Sequence, residues 1–107
     1  MEQISPAQLK VWLDDSSSVQ PLLLDVREPQ EFAHCHIDGS LTMPMSSVPA
    51  RVQELDSDAA TVVICHHGMR SSQVAMYLQQ QGFSKLYNLS GGVAAWAAQV
   101  DTTMPTY

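Results

Sequence analysis

The sequence predicts an α/β fold with a central parallel sheet and helices on both faces, and three observations carry that expectation. Apolar runs of strand length alternate with segments of helical periodicity along the whole chain, the order that builds right-handed strand–helix–strand crossovers. The strand candidates Pro21–Arg27 and Val62-Val63-Ile64 are apolar almost throughout instead of alternating, as strands covered on both faces are. A length of 107 residues suits one compact unit, so the chain reads as a single domain over 1–107, with its core over about 5–100 and a polar tail over 101–107.

Ser5 and Pro6, followed by Ala7, Leu9, Lys10, Trp12 and Leu13, supply an N-cap, a proline at the first helical position and an apolar face. A short helix therefore opens the chain, and the polar stretch Asp14–Ser18 ends it. The strand Pro21–Arg27 follows, then a short helix over Pro29–Phe32, a loop over His36–Ser40, and a short strand Leu41-Thr42-Met43 halted by Pro44. Ser46 and Ser47 offer caps to a third helix with Val48, Val52 and Leu55 at helical spacing. Val62-Val63-Ile64 is β-branched throughout and makes the best central strand. Ser71–Gln81 reads as a helix with Val74, Ala75, Tyr77 and Leu78 inward, ended by Gly82. Phe83–Leu89 returns as a strand, Gly91-Gly92 turns the chain, and Val93–Val100 forms a last helix anchored by Trp96. Trp12 and Trp96 read as core anchors, and the six methionines as core fillers.

The net charge of −6 sets eleven acidic residues against Lys10, Arg27, Arg51, Arg70 and Lys85, which argues against a nucleic-acid partner because phosphate contacts need clustered cations. The same charge repels small anions, so an anionic substrate must depend on a local concentration of donors. No run of about 18 apolar residues exists, and residues 1–10 lack the basic and apolar regions of a signal peptide, so the expectation is a cytoplasmic protein without membrane contact. Cys35 and Cys65 are too few for a disulfide scaffold and read as thiols.

In parallel sheets, ligands bind outside the carboxyl ends of the strands, and Cys65 falls there, between the central strand and a helix. The loop Cys65-His66-His67-Gly68-Met69-Arg70-Ser71 surrounds the thiol with N–H groups left unpaired at a helix N-terminus. Those donors, the helix dipole and Arg70 favour thiolate over thiol, the condition for a nucleophilic cysteine. Gly68 permits the sharp backbone path, and Ser71 is the expected cap. An inert cysteine ending a core strand is the alternative, but it requires none of these neighbours.

With these motifs the chain resembles the rhodanese family of sulfurtransferases from Ser5 to Trp96. The resemblance rests on Leu24-Asp25-Val26-Arg27-Glu28 with Glu31-Phe32 and His36-Ile37-Asp38-Gly39-Ser40, on the Cys65–Ser71 loop, and on Gly91-Gly92-Val93-Ala94-Ala95-Trp96. It implies a rhodanese-like fold and a cysteine that takes the outer sulfur of thiosulfate, releases sulfite, and holds a persulfide until cyanide, a thiol or a sulfur-carrier protein removes it. No cofactor and no metal are expected. The loop residues His66, His67, Gly68, Met69, Arg70 and Ser71 would bind the anion, largely through backbone amides. Phosphatases of similar loop logic use C-x5-R, whereas this chain has C-x4-R, a narrower cradle that suits one sulfur better than a phosphoryl group.

Asp25, Arg27 and Glu31 resemble the family's charged cluster beside the site, with Arg27 either reaching the substrate's sulfonate or, the favoured reading, pairing with Glu31. Arg70 in a helix first turn is expected to contact an anion, and the rings of His66 and His67 are expected to matter less than their backbone. Cys35 occupies a place usually held by glycine in the family; independence from Cys65 is expected over a resolving role. His34, Cys35 and His36 with Cys65, His66 and His67 lack metal-ligand spacing. Two rival functions remain: a persulfide relay between protein donor and acceptor, and a non-catalytic binding module of the same fold.

Overall fold

Thr61–Ile64 (β4) is buried along its entire length, as a strand with neighbours on both edges and helices on both faces must be. In this computed structural model, which describes residues 1–107, it pairs in parallel with Leu22–Asp25 (β2) on one edge and Leu86–Leu89 (β5) on the other. Glu2–Ile4 (β1) extends the sheet beyond β5, and Leu41–Thr42 (β3) extends it beyond β2. The result is an all-parallel sheet in the order β1-β5-β4-β2-β3, so the predicted fold class is the observed one.

Successive residues of β4 face opposite ways, which splits the core in two. Val62 and Ile64 join Leu9, Leu23, Leu89, Val93 and Trp96 under helices Pro6–Asp14 (α1) and Gly92–Gln99 (α5). Val63 and Cys65 join Leu24, Met43, Val48, Val74 and Leu78 under Val48–Arg51 (α3) and Met69–Gln80 (α4). Pro29–His34 (α2) follows β2 and buries none of its residues. Ser5 caps α1 as its sequence predicts: its Oγ accepts from Gln8 N–H at 3.1 Å while its own N–H donates to Gln8 Oε1 at 2.9 Å, worth about 1 kcal/mol.

Several elements differ from the expectation. The third helix is broken into α3 between two 3-10 turns, Met45–Ser47 and Val52–Glu54, and the Ser47 hydroxyl donates back to Pro44 O at 2.7 Å and caps nothing. α4 begins at Met69 instead of Ser71, since Gly68 already occupies the N-cap with φ +102°. Trp96 is buried, while Trp12 is half-buried and donates from Nε1 to Val19 O at 3.0 Å. Met43 and Met104 fill the core, but Met69 and Met76 are exposed. The 101–107 stretch is docked: Met104 is buried beside Trp96, and His34 Nε2 donates to Thr106 O at 3.0 Å. No helix is long and apolar enough to cross a membrane.

Candidate active site

Cys65 leaves the end of β4 and its side chain is almost wholly buried, at 1% exposure. Its Sγ accepts the N–H of Gly68 at 3.0 Å, so the loop curls back over the sulfur. The first bond of α4 is Ser72 N–H to Gly68 O at 3.3 Å; the N–H groups of His66, His67, Met69, Arg70 and Ser71 find no acceptor in the protein. His66, His67, Met69 and Arg70 line the depression through which Cys65 is reached. Such a ring of free main-chain donors answers the repulsion that the net charge imposes on a small anion.

The loop is held from behind by α5. Val93 N–H donates to Cys65 O at 2.9 Å and Ala94 N–H to His66 O at 3.1 Å, so the free amides of one helix N-terminus bind the loop carbonyls. This approach requires Gly92, with φ +60°: a Cβ there would lie 2.3 Å from Cys65 O and 2.4 Å from His66 O. Gly91-Gly92 is thus a docking point for the Cys65 loop as well as the turn that its sequence predicts.

Ser71 does not cap α4. It lies in the first turn, is fully buried, and donates its hydroxyl to Asn88 Oδ1 on β5 while standing 3.2 Å from Cys65 Sγ. Asn88 Nδ2 in turn donates to Gly68 O at 3.1 Å and to Gln3 Oε1 at 3.0 Å, tying the loop to β1 and β5.

The charged residues pair differently from the expectation. Arg27, wholly buried, does not pair with the Glu31 carboxylate; it forks onto Asp25, with Nη2 2.7 Å from Oδ2 and Nε 2.9 Å from Oδ1. The spacing explains the change: Asp25 and Arg27 lie on the same side of an extended chain. Burial works to lower the guanidinium's basicity, but the Asp25 bonds outweigh it and the net shift is upward. Arg27 Nη2 also donates to Cys35 O at 2.6 Å. Arg70 forks instead onto Glu31, at 2.7 and 2.9 Å, which answers its unfavourable position in a helix first turn. Its guanidinium holds the Glu31 carboxyl down at about 2, from 4.5.

Tyr107 closes this arrangement. Its hydroxyl accepts from Arg27 Nη1 at 2.9 Å and donates to Glu31 Oε2 at 2.8 Å, and its ring stacks on His66 at 3.9 Å between centroids. Burial first, and Glu31 after it, push the phenol up to about 12 against the pull of Arg27. Burial, and then His67, lower His66 from its ordinary value. Asp25–Arg27–Tyr107–Glu31–Arg70 is therefore one chain of contacts ending beside the Cys65 loop.

Cys35 and Cys65 are both free, and they belong to core clusters on opposite sides of the sheet. Cys35 Sγ lies 3.8 Å from Arg27 Nη1. No group of three or more His, Cys, Asp or Glu side chains is arranged to hold a metal ion. Sequence reasoning missed Asn88 and Tyr107. A lone polar residue within Leu86–Leu89 was the available signal for Asn88, because a buried amide must find partners; nothing in the 101–107 stretch marked Tyr107.

Comparisons with known proteins bear on the family and the fold. A sequence model described as a rhodanese-like domain matches residues 5–99. A sulfurtransferase of Allochromatium vinosum is 39% identical over 97 residues, covering 91% of this chain and 89% of its own. The thiosulfate sulfurtransferase GlpE of Pseudomonas fluorescens is 39% identical over 105 residues, covering 98% of this chain and 89% of its own. Among solved structures, a Staphylococcus saprophyticus protein superimposes with a TM-score of 0.84 at 33% identity, over 94% of this chain and 97% of its own.

Proposed function

Since the chain belongs to the rhodanese-like family, whose similar members are sulfurtransferases, we propose that it is a sulfurtransferase of the thiosulfate type with Cys65 as nucleophile and sulfur carrier. The observation that carries the reading is the Cys65 Sγ held at 3.0 Å by the Gly68 amide, inside a loop whose other amides lack acceptors. The Cys65 thiolate attacks the outer sulfur of thiosulfate. A bond forms between Sγ and that sulfur, the bond to the sulfonate sulfur breaks, and sulfite departs with the electron pair. The negative charge now sits on the outer sulfur of a persulfide, where the loop amides stabilise it. Cyanide attacks that sulfur, thiocyanate leaves, and the thiolate returns; no proton is transferred in either step.

Arg70 adds positive potential at the mouth but is held by Glu31, so the main chain carries most of the anion contact. A thiol or a sulfur-carrier protein would accept sulfur by the same displacement, and a cytoplasmic setting suits two free thiols. Intact mass of the reduced protein after incubation with thiosulfate tests the reading, beside Cys65→Ser. Gain of one sulfur atom in the wild type alone, removed by cyanide with release of thiocyanate, is the expected result. No gain while Cys65 remains alkylatable would overturn the thiosulfate assignment, and loading by a persulfidated protein donor would then favour the relay.

A further inference from the structure

Asn88 has a fixed orientation in the interior. Its Nδ2 faces the carbonyl oxygen of Gly68, which can only accept, so Oδ1 must be the atom that faces Ser71. Ser71 has a single hydroxyl hydrogen and gives it to Asn88 Oδ1. The 3.2 Å contact between Ser71 Oγ and Cys65 Sγ then has one consistent assignment, with the thiol donating to Oγ. That is the bonding pattern of a protonated cysteine. When Cys65 loses its proton to solvent, Sγ has nothing to donate, and the Ser71 hydroxyl must turn to it. Turning strips Asn88 Oδ1, on a residue 3% exposed, of its donor. In a persulfide the charge has moved to the outer sulfur, Sγ needs no donor from Ser71, and the Ser71–Asn88 bond survives.

We propose that Asn88 is a positioning residue which, by occupying the Ser71 hydroxyl, favours the protonated and sulfur-loaded forms of Cys65 over the empty thiolate. The proposal rests on Cys65 being the reacting thiol. Other charged and titratable groups face Cys65 from the neighbouring elements: Arg70 on α4, His66 and His67 on the loop, with Glu31 on α2 behind Arg70 and Tyr107 behind His66. Asp25 at the end of β2 and Arg27 just beyond it are paired with each other, α5 carries no titratable side chain, and Tyr87 of β5 packs with Trp12 on the opposite face. All of these remain in the variants below, so they set a common baseline.

The test is the pH profile of Cys65 alkylation by iodoacetamide, with the Cys65 peptide resolved from the Cys35 peptide by mass. It needs no sulfur donor, so its outcome is independent of whether thiosulfate is a substrate. Asn88→Ala frees the Ser71 hydroxyl for the thiolate, and the midpoint of the profile should fall by roughly one pH unit. In a Ser71→Ala background the same substitution should leave the midpoint where Ser71→Ala alone puts it, because Asn88 acts through Ser71. An equal shift in both backgrounds would mean that Asn88 acts on the loop through Gly68 O, and would overturn the proposal, as would no shift in the wild-type background. Asn88→Leu, close to asparagine in size, repeats the comparison if Asn88→Ala folds poorly.

Discussion

Replacing Gly92 by alanine introduces two kinds of damage, and a second glycine separates them. At Gly92 the new Cβ would meet the backbone of the Cys65 loop, at 2.3 Å from Cys65 O, 2.4 Å from His66 O and 2.5 Å from His66 C. Bringing the shortest contact to 3.0 Å requires a retreat of about 0.7 Å by backbone that has no flexible end to yield. That movement stretches the bonds from Val93 N–H and Ala94 N–H, now 2.9 and 3.1 Å, to the loop carbonyls. Two weakened backbone bonds at about 1 kcal/mol each, with about 1 kcal/mol for a non-glycine at φ +60°, give roughly 2–4 kcal/mol of lost stability. Displacing the amides around Cys65 by close to 1 Å should lower turnover about 100-fold. Gly39 has φ +86°, and a Cβ added there would find nothing within 4 Å, so Gly39→Ala should cost only the backbone share, about 1 kcal/mol, and leave turnover intact. Urea unfolding of both variants, and thiocyanate formation from thiosulfate and cyanide in the folded proteins, provide the comparison. Equal stability losses, or undiminished turnover in Gly92→Ala, would refute the argument that α5 holds the loop through this glycine.

Three further outcomes follow from the charge arrangement. The Glu31 carboxyl is held at about 2 in the fold against 4.5 ordinarily, so its stabilisation is complete above pH 4.5 and is lost as pH falls toward 2. That difference corresponds to roughly 3 kcal/mol, reduced by solvent screening at the 37% exposed Arg70 to about 1 kcal/mol; between neutral pH and about pH 2 the wild type should lose close to that much more than Glu31→Gln in urea unfolding, and parallel losses would refute it. Tyr107 is raised to about 12, so its neutral form stabilises the fold up to pH 10 and the contribution fades toward 12. In an ultraviolet titration one of the three tyrosines should ionise late and Tyr107→Phe should abolish that step; a single common transition would contradict the buried hydroxyl bonds. Arg27→Met strands Asp25 at 1% exposure without its cation, so thermal and urea unfolding should register a loss of about 3–5 kcal/mol, and a loss below about 1 kcal/mol would mean that the pair is dispensable.

Elements that bury a continuous or periodic apolar pattern can be read from residue types. Val62-Val63-Ile64 marks the sheet centre, and Ser5-Pro6 marks the start of α1 to the residue. Glu2–Ile4 is not legible because a three-residue edge strand with one buried side chain carries no period. The Cys65 loop stands out through residue types that suit a helix N-terminus, but its closure depends on partners far along the chain: Asn88 is 20 residues from Gly68, and Tyr107 is 76 from Glu31. Those contacts come from tertiary docking, which local patterns do not encode. Arg27 is matched to the wrong carboxylate for a related reason: the charged cluster of the resemblance offers both Asp25 and Glu31, and only the extended chain after β2 shows that Asp25 is the one on the same side.

The donors around Cys65 belong to the main chain, and the carbonyls behind them are gripped by the main chain of α5. A main-chain cradle cannot be deleted by changing the side chains that hang from it. His67 and Met69 are exposed at its rim and make no hydrogen bond through their side chains. Substitutions confined to these two positions therefore leave the ring of amide donors around Cys65 in place. The electrostatic character of the pocket is written in the backbone trace, and the side chains at its rim are free to vary without erasing it.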